Sequence, residues 1–237
     1  MLFILPPAPK PLVVYGAAGH AKVVFDIVRR QGVYQIVSVL DRYKPIGTPC
    51  GSLVVSGTME ELPEMLHRCP DLEAVVAIGD NWARARITLE MLQLCPAIRF
   101  GLVIHPSAQI GADVTIGAGT VVAAGAIISP SAKVGGGCLL NTGSSLDHDS
   151  VMGHFSSLAP AAAVGGGVRI GAYTSVGIGA SVIQEITIGE HVVVGAGAVV
   201  VRDIPDSVVA YGVPARAIHE RQIGERYLGD ATAAGKR

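Results

Sequence analysis

The stretch IHPSAQIGADVTIGAGTVVAAGAIISPSAKVGGGCLL, residues 104–140, decides how most of the chain folds. Its aliphatic residues stand six apart, at Ile104, Ile110, Ile116, Val122, Ile128, Val134 and Leu140. The spacing continues through Leu146, Met152, Leu158, Val164, Ile170, Val176, Val182, Ile188 and Val194 to Val200, seventeen positions without a miss. The next residue is glycine in nine of the seventeen, and the residue four after is Ala, Ser, Thr, Cys or Val in fifteen. Such a pattern is neither an ordinary helix nor a two-faced strand. It describes a solenoid in which each unit stacks its apolar side on the next. The large aliphatic residue points into the axis, and the small one fits a corner. The glycine is expected to supply backbone angles that other residues resist.

This repeat also explains the composition. Of 237 residues, 50% are hydrophobic and 16% charged, and the mean hydropathy is +0.48. The run Val114–Ala132 carries no charge. By length it would suit a membrane helix, but its glycines and six-residue period make it solenoid interior instead. A net charge of −1 without any Lys/Arg-rich run argues against nucleic acid as a partner. Cys50, Cys69, Cys95 and Cys138 are scattered, as reduced thiols of a cytoplasmic protein would be. The N-terminal MLFILPPAPKP lacks the features of a secretory signal.

Upstream of Ile104 the grammar differs. A short strand, Leu12–Tyr15, runs into Gly16-Ala17-Ala18-Gly19-His20, and a helix follows with Val23, Val24, Ile27 and Val28 on one face. Further strands are predicted over Ile36–Leu40, Ala74–Ile78 and Arg99–Val103. Helices are predicted over Met59–His67 and Ala83–Leu94, with a Pro/Gly-rich turn after Asp41-Arg42. Alternating strands and helices imply a parallel sheet in a Rossmann-like α/β unit. The expected division is residues 1–103 as the Rossmann-like unit, 104–216 as the β-solenoid and 217–237 as a tail, each of the first two with its own apolar core pattern.

Charges are rare in the solenoid. Between Pro106 and Val200 there are seven, and two of them, Asp147 and Asp149, flank His148. An imidazole beside a carboxylate suits a general base. No His/Asp/Glu cluster has metal-ligand spacing, so no metal is expected. The glycine turn before the first helix offers N–H groups to an anion, and Asp41 ends the next strand. The full dinucleotide fingerprint is absent, because Ala18 and Ala21 occupy its later glycine positions.

The ordered set Gly16-Ala17-Ala18-Gly19-His20, Asp41, Ala77-Ile78-Gly79, Ile104-His105-Pro106-Ser107-Ala108, Asn141-Thr142-Gly143, Asp147-His148-Asp149 and Gly212-Val213-Pro214-Ala215-Arg216 resembles one family across nearly the whole chain. It is the hexapeptide-repeat sugar acetyltransferases that N-acetylate UDP-4-amino-sugars or O-acetylate sialic acid. The resemblance makes residues 1–103 the nucleotide-sugar-binding unit and 104–216 a left-handed parallel β-helix with three hexads per coil. It implies a homotrimer, and acetyl-CoA as co-substrate. It implies His148 as general base with Asp149 as its acidic partner. Nucleotide-sugar contacts fall on Ala18, Gly19, His20, Asp41, Arg42, Gly79 and Asn141, and acetyl-CoA contacts on Ser157, Ile178 and Ala196. Arg42 stands where some relatives have an acidic residue, and Ser157 where some have histidine. A backbone N–H of Gly165-Gly166-Gly167 is a candidate oxyanion donor, and Arg216 a candidate for a CoA phosphate. His154 and His191 are weaker candidates for the cofactor cleft. The leading expectation is N-acetylation of a nucleotide-linked, UDP-type 4-amino-sugar for surface glycans. O-acetylation of sialic acid is the first alternative, and a non-catalytic scaffold or nucleotide sensor the second.

Overall fold

The computed structural model describes residues 8–228, so residues 1–7 of the N-terminal segment and 229–237 of the tail lie outside the described residues. The first unit comprises β1 (Lys10–Tyr15), α1 (Gly19–Gln31), β2 (Tyr34–Leu40), a small hairpin of β3 (Pro49–Cys50) and β4 (Leu53–Val54), α2 (Leu62–Arg68), β5 (Glu73–Val76), α3 (Asn81–Leu94) and β6 (Arg99–Phe100). The hairpin occupies the Pro/Gly-rich segment expected to be only a turn. Strands β2-β1-β5-β6 form one parallel sheet in that order.

Alternation along the strands sorts their side chains to two faces. Leu12, Val14, Val39 and Val75 pack under α1 with Val24, Ile27 and Val28. Val13, Tyr15, Leu40, Ala74 and Val76 pack on the other side with Leu62 of α2 and Met91 of α3. The cluster under α1 does not stop at the sheet. It continues into Val103, Val121, Ala123 and Leu139 of the solenoid, so the two units share this cluster. The strand expected over Arg99–Val103 accordingly splits: β6 ends at Phe100, and Val103–Ile104 is already the first rung of the solenoid.

Two-residue strands pair in parallel with partners eighteen residues on, as Val121 with Leu139 and Leu139 with Ser157. Three such ladders make the three walls of a triangular prism: an eight-, a six- and a five-stranded sheet. The aliphatic residues from Val122 to Val200 are buried in one continuous core. The small residues four positions later are buried with them. Several polar ones donate to backbone carbonyls, Thr120 to Gly135, Ser150 to Gly165 and Thr174 to Gly189, whereas Ser144 Oγ has no partner among the described residues. At the far end Val208–Gly212 adds in parallel to Val193–Val194, and Ala215–Glu220 folds back antiparallel upon it.

Glycine plays a different part from the one expected. Positive φ falls three residues after the aliphatic position, at Gly119, Gly125 and Gly137 but equally at Asp149, Phe155 and Tyr173. The glycine directly after the aliphatic residue has ordinary angles. A Cβ there would strike the next coil: at Gly117 it would lie 2.4 Å from Gly136 N, and at Gly171 2.4 Å from the carbonyl carbon of Gly189. Close approach between coils selects it, not backbone conformation.

Candidate active site

Residues 147–150 turn the corner between the six- and five-stranded walls. His148 projects outward with 62% of its side chain exposed. Asp149 sits at the left-handed corner position, φ 59°, a conformation that aspartate tolerates. From there its Oδ2 reaches back to His148 Nδ1 at 2.8 Å. Asp147 Oδ1 accepts the His148 backbone N–H at 2.8 Å. The Asp149 hydrogen bond first, and the Asp147 charge second, raise the imidazole pKa above its usual value. With Nδ1–H donated to Asp149, Nε2 is left as the basic atom. Beneath the corner, Ser150 Oγ donates to Gly165 O and accepts from Val168 N, fixing this coil to the next.

Gly166 lies directly one coil below His148. Of the three candidate oxyanion donors, Gly165 N–H is taken by Val182 O and Gly167 N–H by His148 O. Gly166 N–H makes no hydrogen bond to the described residues. A Cβ on Gly166 would lie 2.6 Å from His148 Nε2, so the ring occupies the space a side chain would need. A shallow trough of about 300 Å³, lined by Ser129, Ser145, Asp147, Ala163, Gly165 and Ser181, runs from this corner over the six-stranded wall.

The second cluster is at the N-terminus of α1. Ala18 is the N-cap and supplies no capping side chain, and the first turn holds no acid. The Gly19 and His20 N–H groups of the first turn are therefore open to an anion, while Ala21 N bonds to Ala18 O. Gly16, φ 107°, brings the loop so near β5 that a Cβ would lie 3.1 Å from Ala77 O. Asp41 is spent on the loop itself: Oδ2 accepts from Ala17 N at 2.9 Å, and Oδ1 from Tyr43 N and Lys44 N. Lys44 Nζ donates to Ala17 O at 2.5 Å. Arg42 pairs with Glu90 of α3. His20 Nε2 is buried without a partner among the described residues. Burial, and secondarily the charge of Arg84, push the His20 pKa down to about 4, so the ring is neutral.

The remaining expected residues fall on another corner or on a wall. Asn141, Ile178 and Ala196 lie at the corner between the eight- and six-stranded walls, Ile178 and Ala196 on successive coils and Asn141 two coils before Ile178. Ile178 is 61% exposed, and Asn141 Nδ2 is bonded to Leu158 O. Ser157 is on the eight-stranded wall, 4% exposed, with its hydroxyl on Ser175 Oγ. Base and the Ile178–Ala196 corner thus occupy two corners of one prism, and the strand end beneath the anion loop is tied through Arg84 to the third. His154 and His191 belong to the corner nearest the anion loop: His154 Nδ1 accepts from Gly136 N, and His191 stacks on Tyr173 at 4.6 Å. Arg216 donates to the neighbouring Ala215 O. Among the described residues no group of three or more His, Cys, Asp or Glu could hold a metal ion, and no helix is long and apolar enough to cross a membrane.

Two residues escaped the sequence reading. Asn81 and Arg84, at the start of α3, are buried and bonded to solenoid carbonyls. The only signal was an α3 whose apolar residues form no single stripe.

An outward His–Asp pair on a parallel β-solenoid, beside an α/β unit with an open helix N-terminus, defines a hexapeptide-repeat acyltransferase. Residues 11–91 match the family model of the PglD N-terminal domain. A histidine-to-alanine variant of GDP-perosamine N-acetyltransferase from Caulobacter crescentus, solved with CoA and GDP-perosamine, is 37% identical over 89% of this chain and 97% of that one, with a TM-score of 0.82. The acetyltransferase domain of PglB from Neisseria gonorrhoeae FA1090 is 32% identical over 88% of this chain and 100% of that one, TM-score 0.80. WeeI from Acinetobacter baumannii AYE is 26% identical over 87% and 99%, TM-score 0.77. No curated protein gives a match. The chain belongs to the hexapeptide-repeat nucleotide-sugar acetyltransferase family.

Proposed function

We propose that the protein transfers the acetyl group of acetyl-CoA to the amine of a nucleotide-linked amino sugar. The observation that carries this reading is the His148–Asp149 pair facing the one unused glycine N–H of its corner. In this scheme the sugar amine attacks the thioester carbonyl and His148 Nε2 takes the proton it sheds, while Asp149 holds Nδ1–H and steadies the imidazolium. Gly166 N–H donates to the oxyanion of the tetrahedral intermediate. Collapse breaks the C–S bond, and the imidazolium returns its proton to the departing thiolate, giving the amide and CoA. The similarity to an enzyme solved with CoA and GDP-perosamine supports a nucleoside-diphosphate amino sugar as acceptor. The UDP-linked 4-amino-sugar of the sequence reading and a GDP-linked one are both tested below.

The open first turn of α1, with Gly79 and His20 beside it, receives the diphosphate and sugar in this assignment. The corner bearing Asn141, Ile178 and Ala196 receives the pantetheine arm. Because the base and the pantetheine arm's residues sit on different corners of one chain, and the anion loop is tied to the third, a threefold assembly is what joins them. A homotrimer places one chain's His148 against its neighbour's other corners. Four free cysteines fit a cytoplasmic setting. The test is CoA release and product mass with UDP- and GDP-linked 4-amino-sugars against free and CMP-linked sialic acid. The reading expects the highest kcat/KM on an amino sugar and a trimer by light scattering. Faster turnover of sialic acid, or a monomer active under assay conditions, would refute it.

A further inference from the structure

The prism leaves a row of carbonyls unused. At the left-handed corner residues Gly137, Phe155, Tyr173 and His191, one per coil, the N–H bonds to the coil before but the C=O bonds to no other backbone group. All four are capped by side chains from outside the solenoid. Arg84 takes Gly137 O (Nε, 2.7 Å) and Phe155 O (Nη2, 3.0 Å). Asn81 Nδ2 takes Tyr173 O at 3.2 Å and Thr174 O at 3.1 Å. Arg221 Nη1 takes His191 O at 2.9 Å. The corner rings themselves stack, Phe155 on Tyr173 and Tyr173 on His191, with Trp82 of α3 edge-on to Tyr173.

Arg84 faces both ways. It is 1% exposed, and no carboxylate is bonded to it. Its remaining N–H groups go to Ile78 O and Gly79 O at 3.0 Å and to Asn81 Oδ1 at 2.7 Å. A buried guanidinium is tolerated only when its donors are satisfied, and here all five are. Ile78 and Gly79 form the floor of the anion loop: a Cβ on Gly16 would lie 3.3 Å from Ile78 Cγ1. One side chain therefore joins the solenoid rungs to the strand end on which the loop rests.

We infer that Arg84, seconded by Asn81, is the positioning residue of the acceptor site, fixing the nucleotide loop to the solenoid so that bound sugar is presented at a set distance from the base corner. The inference rests on the nucleotide-sugar reading above. Supporting it, the charge of the same guanidinium adds to burial in keeping the His20 ring uncharged, which leaves the helix N–H groups to meet the phosphate charge. Arginine is required for geometric reasons. Lysine carries three donors and reaches at most three of the five acceptors. An apolar side chain leaves four of the five carbonyl oxygens unpaired, Gly79 O keeping only the Tyr227 hydroxyl.

The test uses the full chain and two readouts that need no turnover: Kd for UDP and GDP, and Kd for CoA, each in Arg84→Lys, Arg84→Met and Asn81→Ala. A loop displaced by about 1 Å loses affinity and rate steeply. The expectation is nucleotide Kd weakened about 10-fold in Arg84→Lys and Asn81→Ala, and more in Arg84→Met, with CoA Kd within about twofold of wild type. In turnover, KM for the nucleotide sugar rises and kcat falls while KM for acetyl-CoA holds. Should Arg84→Met fail to fold, the two milder variants decide. Unchanged nucleotide Kd in both, or equal weakening of nucleotide and CoA alongside a lowered Tm, would overturn the positioning role. A wild-type chain that binds neither UDP nor GDP would overturn the acceptor reading itself, and this inference with it.

Discussion

Gly166→Ala is the substitution that separates the catalytic corner from the fold. Gly166 has ordinary backbone angles, so alanine brings no conformational strain. It does bring a Cβ, which would lie 2.6 Å from Nε2, 2.7 Å from Cε1 and 3.2 Å from Cδ2 of His148. Ordinary contact begins near 3.4 Å, so the ring must retreat by about 1 Å. His148 is an exposed side chain and can do so for about 0.5–1.5 kcal/mol of rotamer cost. A fall in Tm of up to about 6 °C is expected for a chain of this size. Activity is less forgiving, since about 1 Å of misplacement costs on the order of 10²-fold. The backbone N–H of residue 166 is retained, so the loss reports the base and not the oxyanion donor. Gly165→Ala is the control with opposite behaviour. Its Cβ would meet the backbone N of Gln184 at 2.8 Å, which cannot swing away, so stability falls first. The assay is kcat by CoA release beside Tm by thermal melt. A Gly166→Ala enzyme with kcat within about threefold of wild type would refute this placement of His148.

Asp149→Asn removes the larger of the two influences that raise the His148 pKa, so the acid limb of kcat/KM moves to lower pH while kcat falls less than in His148→Ala; an acid limb that stays put or moves up would contradict the pairing. His20 titrates near 6.5 unfolded but at about 4 in the fold, so the unfolded state binds more protons between these values and stability falls as pH drops through that window. The slope amounts to about 2 kcal/mol by pH 5, and urea melts of His20→Asn should show it flattened; an unchanged slope would show that another group is responsible.

The solenoid was legible because its core obeys one rule repeated seventeen times, and each repeat corrects the noise of the others. The His148–Asp149 pair was legible for the converse reason, as charge where the repeat has almost none. Conformation was harder to read. Glycine after nine of the aliphatic residues suggested special angles, whereas the positive φ lies two residues on, where Phe155 and Tyr173 tolerate it. Chemical type announces close packing and strained angles by the same residue, and only the coil stacking tells them apart. The union of the two units was illegible altogether. Nothing in the repeat set Val121 and Leu139 apart from other wall positions, and nothing in the helix over Ala83–Leu94 singled out Arg84. What buries them is each other's unit, a contact between residues far apart in the chain that leaves no period in either.

The measurement that bears most directly on the account is acetyl transfer from acetyl-CoA to a nucleotide-linked 4-amino-sugar, followed in wild type and in His148→Ala with both substrates saturating. The account predicts N-acetylated product from the wild type and a kcat lower by about 10²–10⁴ in the variant, the range expected for loss of a general base, with KM for acetyl-CoA little changed. A His148→Ala enzyme within about threefold of wild type would contradict it.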